Sequence, residues 1–386
     1  MAFVSREAIP CPQPCTKENG LNSAMWRLLL FLLCGLCLLT AQSISDQAAA
    51  IPVTSSYKLE WKRHFDIQVG ITGGVSDEVN ALWLVPQAGP GALIKIGADG
   101  QLAGTYYVHL PLRADEWIES LCPAVTGHNV GLLASLVSGG RLQTFEGAFF
   151  IPVGSDGLGV PKRVAGQGPQ YLTMVGTEAD QFIAAGDQEP LTLLKLDRTG
   201  TVLWRRSFSR KLVLPTLDVG PNGGMFMLSQ SEGGDYVLLQ SIDQSGNILA
   251  SKRISAAQGT VKADREGGCS VLLSKSFHGK DNRVYLATFD RTLRQLREVE
   301  TPLYGRGGCN YQLILTPTGH LLIGESFELG RQVIAEYHSS GTLRWQQEIS
   351  SEFTPLLVPS RTGFYVVRNR LSAKSFDVER YSWGAN

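Results

Sequence analysis

The sequence predicts an all-β fold, a seven-bladed β-propeller of four-stranded blades spanning residues 57–386. Three observations predict it. One hairpin unit recurs with its turns 43 to 57 residues apart. Turn signals divide each unit into four short alternating strands. The two ends of the chain supply complementary parts of one further unit. A period in this range, sustained along a chain, is the mark of blades that each bury a face only against their neighbours.

The first residues read as an extension and an export signal. Met25-Trp26-Arg27 precedes an apolar run from Leu28 to Leu39, and Thr40-Ala41-Gln42-Ser43 follows. That order of charge, apolar run and small residues is a secretory signal, cleaved after Ala41 or Ser43. The run is shorter than the roughly 20 residues a membrane-spanning helix needs. Residues 1–43 are assigned to this segment, with Met25 the expected initiator, and 44–56 to a short linker. Cys34 and Cys37 lie in the run without the residues of a lipid-attachment box. The chain is therefore expected in the periplasm or outside the cell, with no stable membrane span after cleavage. The absence of any Asn-x-Ser/Thr sequon fits a bacterial source.

Composition narrows the partners. The 35 Lys and Arg balance the 35 Asp and Glu, so no concentrated basic surface for nucleic acid is expected. The balance also gives no reason to expect binding to anionic membranes. Removal of the signal leaves Cys122, Cys269 and Cys309, an odd count that does not make a disulfide framework. Cys122 and Cys269 sit in apolar strand settings and are expected to be small buried hydrophobes. Cys269 and Cys309 start from opposite ends of their strands and are not expected to bond.

Leu191-Thr-Leu-Leu-Lys-Leu-Asp197-Arg-Thr-Gly200-Thr-Val-Leu-Trp204 is the clearest copy of the repeat. Tyr236 to Leu249, Val284 to Leu293 and Gln332 to Trp345 are further copies, with Leu293 standing where Gly is expected. Ala92 to Gly100 and Phe149 to Gly157 are weaker ones. The turn has a local cause: Asp accepts hydrogen bonds from the backbone ahead of it, and Gly takes the positive φ of a tight hairpin. Two strands precede each copy, for instance 171–177 with 181–186 and 311–316 with 320–324. The units fall at 67–110, 111–165, 166–209, 210–255, 256–300 and 301–350. The last, 353–383, has only three strands. Tyr57-Lys-Leu-Glu-Trp61-Lys-Arg-His-Phe65 matches the outer strands at Trp204 and Trp345 and is expected to complete it. Such closure removes exposed sheet edges.

Leu193 to Trp204, with Asp-x-x-Gly followed four residues later by Trp, resembles the repeat of quinoprotein-like propellers. Gly324 to Trp345 similarly resembles the repeat of secreted bacterial propellers. The resemblance covers the whole mature chain at the level of the blade, and it implies a propeller without implying an activity. Quinone-dependent members carry an adjacent cysteine pair. This chain has none, so no quinone is expected.

No motif for chemistry stands out. The six histidines include no His-x-His or His-Glu-x-x-His, no Gly-x-Ser-x-Gly elbow occurs, and no glycine-rich stretch ends in Lys-Ser/Thr. No catalytic residue and no metal ligand set is assigned, and the histidines are expected at the surface or at strand ends. Fold logic still places a site. Loops that enter inner strands, or join second to third strands, gather at one end of the channel, here called the upper face. The residues they bring are Arg113, Asp115, Trp117, Arg210, His278, Lys280, Tyr304, Arg306 and Arg331, together with the Glu232–Asp235 turn. The long second unit, around Gly139 to Gln143, is expected to overhang this face. The expected function is an exported, non-catalytic platform for a protein, peptide, glycan or small polar ligand. The alternative is a lactonase-type hydrolase with calcium in the channel, held by Asp218, Asp264, Glu119 and Asn310. No other cofactor is expected.

Overall fold

The computed structural model describes residues 57–384 apart from 68, 87–90, 128, 140–143, 155–156, 168–169, 178–180, 188–189, 209–211, 276–282, 305–310, 327–330, 351–353 and 371–373. The extension, signal and linker read from residues 1–56 lie outside the described residues. Every regular element among those described is a strand, and the strands form seven sheets.

The inner strands are Ile71–Ser76, Glu116–Thr126, Gln170–Gly176, Leu212–Val219, Gln258–Ala263, Tyr311–Thr316 and Leu356–Pro359, defining blades 1 to 7. Each inner strand packs on the one before and the one after, and that of blade 7 packs on that of blade 1. The circle of contacts is thus closed. Six blades have four antiparallel strands, in chain order in all but blade 7, whose outer strand is Tyr57–Phe65. Blade 2 departs from the expected four, because the two-residue strand Gly157–Leu158 pairs with its third strand in addition to the outer strand Lys162–Ala165.

Closure runs as the ends of the sequence imply. Tyr57–Phe65 pairs antiparallel with Ser375–Trp383, from Tyr57 opposite Trp383 to Phe65 opposite Phe376. The inner strand of this blade starts at Leu356, later than the expected residue 353. Charged side chains reinforce the joint on the face toward blade 6. Glu379 accepts from Lys62 (3.1 Å) and from the buried Arg368 (2.8 Å). Asp377 accepts from His64 (2.7 Å) and Arg370 (2.6 Å). Burial works to raise the Asp377 carboxyl, but the hydrogen bonds from His64 and Arg370 outweigh it and hold the group below the ordinary carboxylate range. On the face toward blade 1, the Asn369 amide accepts from Ile71 N–H and donates to Ile71 C=O, both at 2.8 Å.

The core consists of slabs between neighbouring blades. Blades 7 and 1 share Phe65, Leu82, Leu84, Tyr365, Phe376 and their neighbours, and blades 2 and 3 share Cys122, Phe150, Tyr171 and Phe182. Alternation explains this: each strand offers one row of side chains to the blade before and one to the blade after.

The hairpins between third and outer strands form a second contact layer at the lower end. In blades 3, 4 and 5 an Asp accepts from backbone amides two and four residues ahead, as Asp197 does from Thr199 and Thr201 at 2.8 and 2.7 Å, while in blade 6 His338 Nδ1 accepts from Ser340 N–H at 3.0 Å. Gly100, Gly200, Gly246 and Gly341 take positive φ there. Trp61 lies against Gly100 of blade 1 and donates its indole N–H to Ala98 C=O (2.9 Å). Trp204 does the same against Gly246 of blade 4, to Gln244 C=O (3.2 Å). In blade 5 the equivalent residue is Arg297, which covers Gly341 and donates to Ser339 C=O (2.5 Å). In blade 4 it is Ala250. The turn it faces holds Leu293, with φ +62°, whose buried side chain lies in the cluster Ala250 packs on.

Candidate functional site

Blade 2 dominates the upper face. Its inner, second and third strands run for 10 or 11 residues, against 4 to 9 in the corresponding strands of the other blades. Of the segment Gly139 to Gln143 expected to overhang this face, 140–143 lie outside the described residues.

Trp117, expected in a loop, sits instead in the strand Glu116–Thr126, because that strand begins earlier than the turn signals suggest. The residue is 36% exposed, and its indole N–H donates to Glu119 Oε2 at 3.0 Å. Arg113, one turn earlier, is fixed by its own blade. Its backbone N–H and guanidinium both reach Glu116, at 2.7 and 2.8 Å, and Nη2 reaches Glu146 Oε2 at 3.0 Å. Glu146 also accepts from Ser138 Oγ (2.5 Å) and Gln167 Nε2 (3.2 Å). The bond from the Arg113 backbone holds the Glu116 carboxyl below its usual range, and the bond from Ser138 does the same for Glu146. Both carboxylates are therefore ionised and hydrogen-bonded, a state suited to recognition and unsuited to a proton donor. A cleft of about 360 Å³ opens among Arg113, Glu116, Glu146, Phe149, Arg163 and Gln167.

The other expected residues are spread around the face. Asp115 is exposed beside Arg113. Tyr304 ends the outer strand of blade 5, and Arg331 opens the third strand of blade 6, where it pairs with Glu348 at 2.5 Å. Arg210, His278, Lys280 and Arg306 lie outside the described residues. Arg113, Asp115 and Trp117 form one local group, which Tyr304 and Arg331, three and four blades further round the ring, do not join.

The channel holds a cavity of about 440 Å³ lined by all seven inner strands. Ser76, Thr173, Thr260 and Gln312 contribute polar groups, and Asp218 and Lys262 the charges. Asp218 is engaged twice, by Lys262 Nζ (3.5 Å) and by Ala263 N–H (2.8 Å). Of the other calcium candidates, Asp264 lies beyond its strand and caps the turn to Gly268, while Glu119 sits at the upper end with Trp117. Asn310 lies outside the described residues. Among the described residues, no three His, Cys, Asp or Glu side chains group as a metal site.

Sequence reasoning missed His320. It is buried, not at the surface, and its Nε2 meets Ser270 Oγ of blade 5 at 2.7 Å. Burial, aided by Arg297, pushes the imidazole down to about 4. Its place in the alternating run His320-Leu-Leu-Ile was the only available signal. Cys122 and Cys269 are buried free thiols as expected, and burial pushes Cys122 up to about 12, so neither is poised as a nucleophile. Cys309 lies outside the described residues.

No protein-family model and no curated protein matches the chain. Solved structures do. YCF48 bound to D1 peptide shares 11% identity over 86% of this chain and 98% of its own, with a TM-score of 0.55. Streptogramin B lyase shares 10% over 83% and 98%, at 0.54. BBS1N in complex with ARL6DN shares 9% over 85% and 97%, at 0.53. At such identity the likeness is one of fold. No helix among the described residues is long and apolar enough to cross a membrane.

Proposed function

We propose that the protein is an exported, non-catalytic binding platform whose upper face, at the long-stranded second blade, holds a protein segment, peptide or glycan. One observation carries this reading. The strand Glu116–Thr126 carries an exposed Trp117 held by Glu119, and its first residue Glu116 joins Arg113 and Glu146 in an ion-paired group that lines an open cleft. A held aromatic plane and pre-paired donors and acceptors both bind with little loss of side-chain freedom, as interface hot spots do. The polar partners also give orientation.

Two of the similar folds were solved with a peptide or protein bound, D1 peptide on YCF48 and ARL6DN on BBS1N. A propeller used as a platform is in keeping with them. Export rests on the apolar run from Leu28 to Leu39 and the small residues after it. The channel supports the non-catalytic reading, since its Asp218 is already held by Lys262 and a backbone amide.

The test is a screen of peptide and glycan arrays, followed by titration of each hit against the intact protein and against Trp117→Ala and Arg113→Ala. Loss of binding by ten-fold or about that in Trp117→Ala is expected. Hits that bind both variants unchanged, or purified protein carrying stoichiometric calcium and hydrolysing lactones, would overturn the reading.

A further inference from the structure

Charge is sorted around the outer wall of the ring, under a total that is neutral. The outer strands of blades 2, 3 and 4 are Lys162–Ala165, Val202–Phe208 and Ile248–Ile254. Each carries two adjacent cations, Lys162-Arg163, Arg205-Arg206 and Lys252-Arg253, and none carries a carboxylate. The outer strands of blades 5, 6 and 7 differ: Glu298 and Glu300, Glu348, and Glu60 stand among their cations. That of blade 1 has no charged side chain. The hairpins of blades 3 and 4 add Arg198 on one side and Asp197 and Asp243 on the other, which leaves the cations in excess on this part of the wall.

Arg163 belongs to the upper cleft. The other five strand cations are held by neutral groups. Lys162 Nζ donates to Thr201 Oγ1 of blade 3 (2.9 Å), and Arg205 Nη2 donates back to Val164 C=O of blade 2 (3.0 Å). Arg206 Nε reaches Ser245 C=O of blade 4 (3.3 Å), Arg253 lies over the Tyr236 ring and Lys252 over Phe289. A carbonyl or a ring fixes a cation in place without cancelling its charge. The ion pairs among the described residues involve none of the five. The same stretch of wall is also apolar. Val160, just before the blade 2 strand, Val202 and Leu203 of blade 3, and Ile248 and Leu249 of blade 4 are exposed, Val160 to 85%. Such side chains scattered singly would need no explanation, but a patch of them interleaved with uncompensated cations does.

We propose that the outer wall of blades 2 to 4 binds an acidic polypeptide segment with aliphatic residues between its carboxylates. Carboxylates take the N–H groups that Arg205, Arg206 and Arg253 leave over, and aliphatic residues cover Leu203 and Leu249. Nucleic acid and anionic polysaccharide bring charge without aliphatic groups and would leave that part of the surface wet. A bilayer brings both, but it is flat, and the outer wall of a closed ring curves away from it on either side of one line of contact. A flexible segment follows the curve.

The test is fluorescence anisotropy of a labelled peptide of repeated Glu-Leu-Asp-Val units with the intact protein at low ionic strength. Binding that weakens as salt is added is expected. The double variant Arg205→Glu, Arg253→Glu should weaken it at least about ten-fold. The double variant Leu203→Ser, Leu249→Ser should weaken it about ten-fold as well. All four side chains are exposed, so thermal unfolding should be unchanged, and if either variant fails to fold the other decides. Absence of binding by the parent, undiminished binding by a folded variant, or equal binding of a DNA duplex, heparin or phosphatidylglycerol vesicles would overturn the proposal. So would loss of the peptide in Trp117→Ala, which would put it on the upper face. The upper-face reading rests on other residues and stands whichever way this test falls.

Discussion

The indole N–H of Trp345 donates to a carboxylate of its own blade, Glu336 Oε2 at 2.7 Å, whereas Trp61 and Trp204 donate to carbonyls of the next blade's turn. The difference follows from closure. The blade facing Trp345 is completed by the chain's first strand, so its third and outer strands are joined by no hairpin and offer no turn carbonyl there. Glu336 replaces it, fully buried and paired with Arg344 at 3.0 Å.

Glu336→Ala should therefore destabilise the ring by about 2–4 kcal/mol, because it strands the indole N–H and the Arg344 partner together. Glu336→Gln keeps an acceptor for the indole and should cost less. Urea unfolding of both variants checks the order. Equal losses would mean that the ion pair with Arg344, and not the indole bond, sets the cost.

The exchange of Ala250 and Leu293 for the Trp and Gly of other junctions predicts strong coupling. Ala250→Trp alone should clash with Leu293 and cost about 1–3 kcal/mol. Leu293→Gly alone should cost about 2–4 kcal/mol for the lost buried side chain, offset in part by relief of the positive φ. The double variant rebuilds the Trp204–Gly246 arrangement and should be more stable than the sum of the two. A double-mutant cycle measures this, and additivity within error would show that the two positions do not share space.

His320 predicts a loss of stability in mild acid. The unfolded chain takes up its proton near pH 6.5, whereas burial holds the folded imidazole neutral down to about 4. The unfolded state thus binds more protons between these values. Stability from this group is complete above pH 6.5 and is lost as pH falls to about 4, by about 3 kcal/mol in total. His320→Gln should flatten that part of the profile, read as the unfolding midpoint against pH. An unchanged slope would assign it to other groups.

The sequence by itself determined the blade, the number of blades and the way the ring closes. Those features rest on short-range physics: alternation sorts side chains within a strand, Asp and Gly fix a turn within five residues, and unmatched strands at the two ends need each other's edges. It also indicated which loops share one end of the channel, because strand direction alone fixes that. Only the tertiary structure decided which side chains meet. Arg113 reaches Glu146, Ser270 reaches His320 and Trp61 reaches Ala98 across separations of 33 to 50 residues. Such pairs depend on the rotation between neighbouring sheets and on how far each strand extends, and no local pattern encodes either.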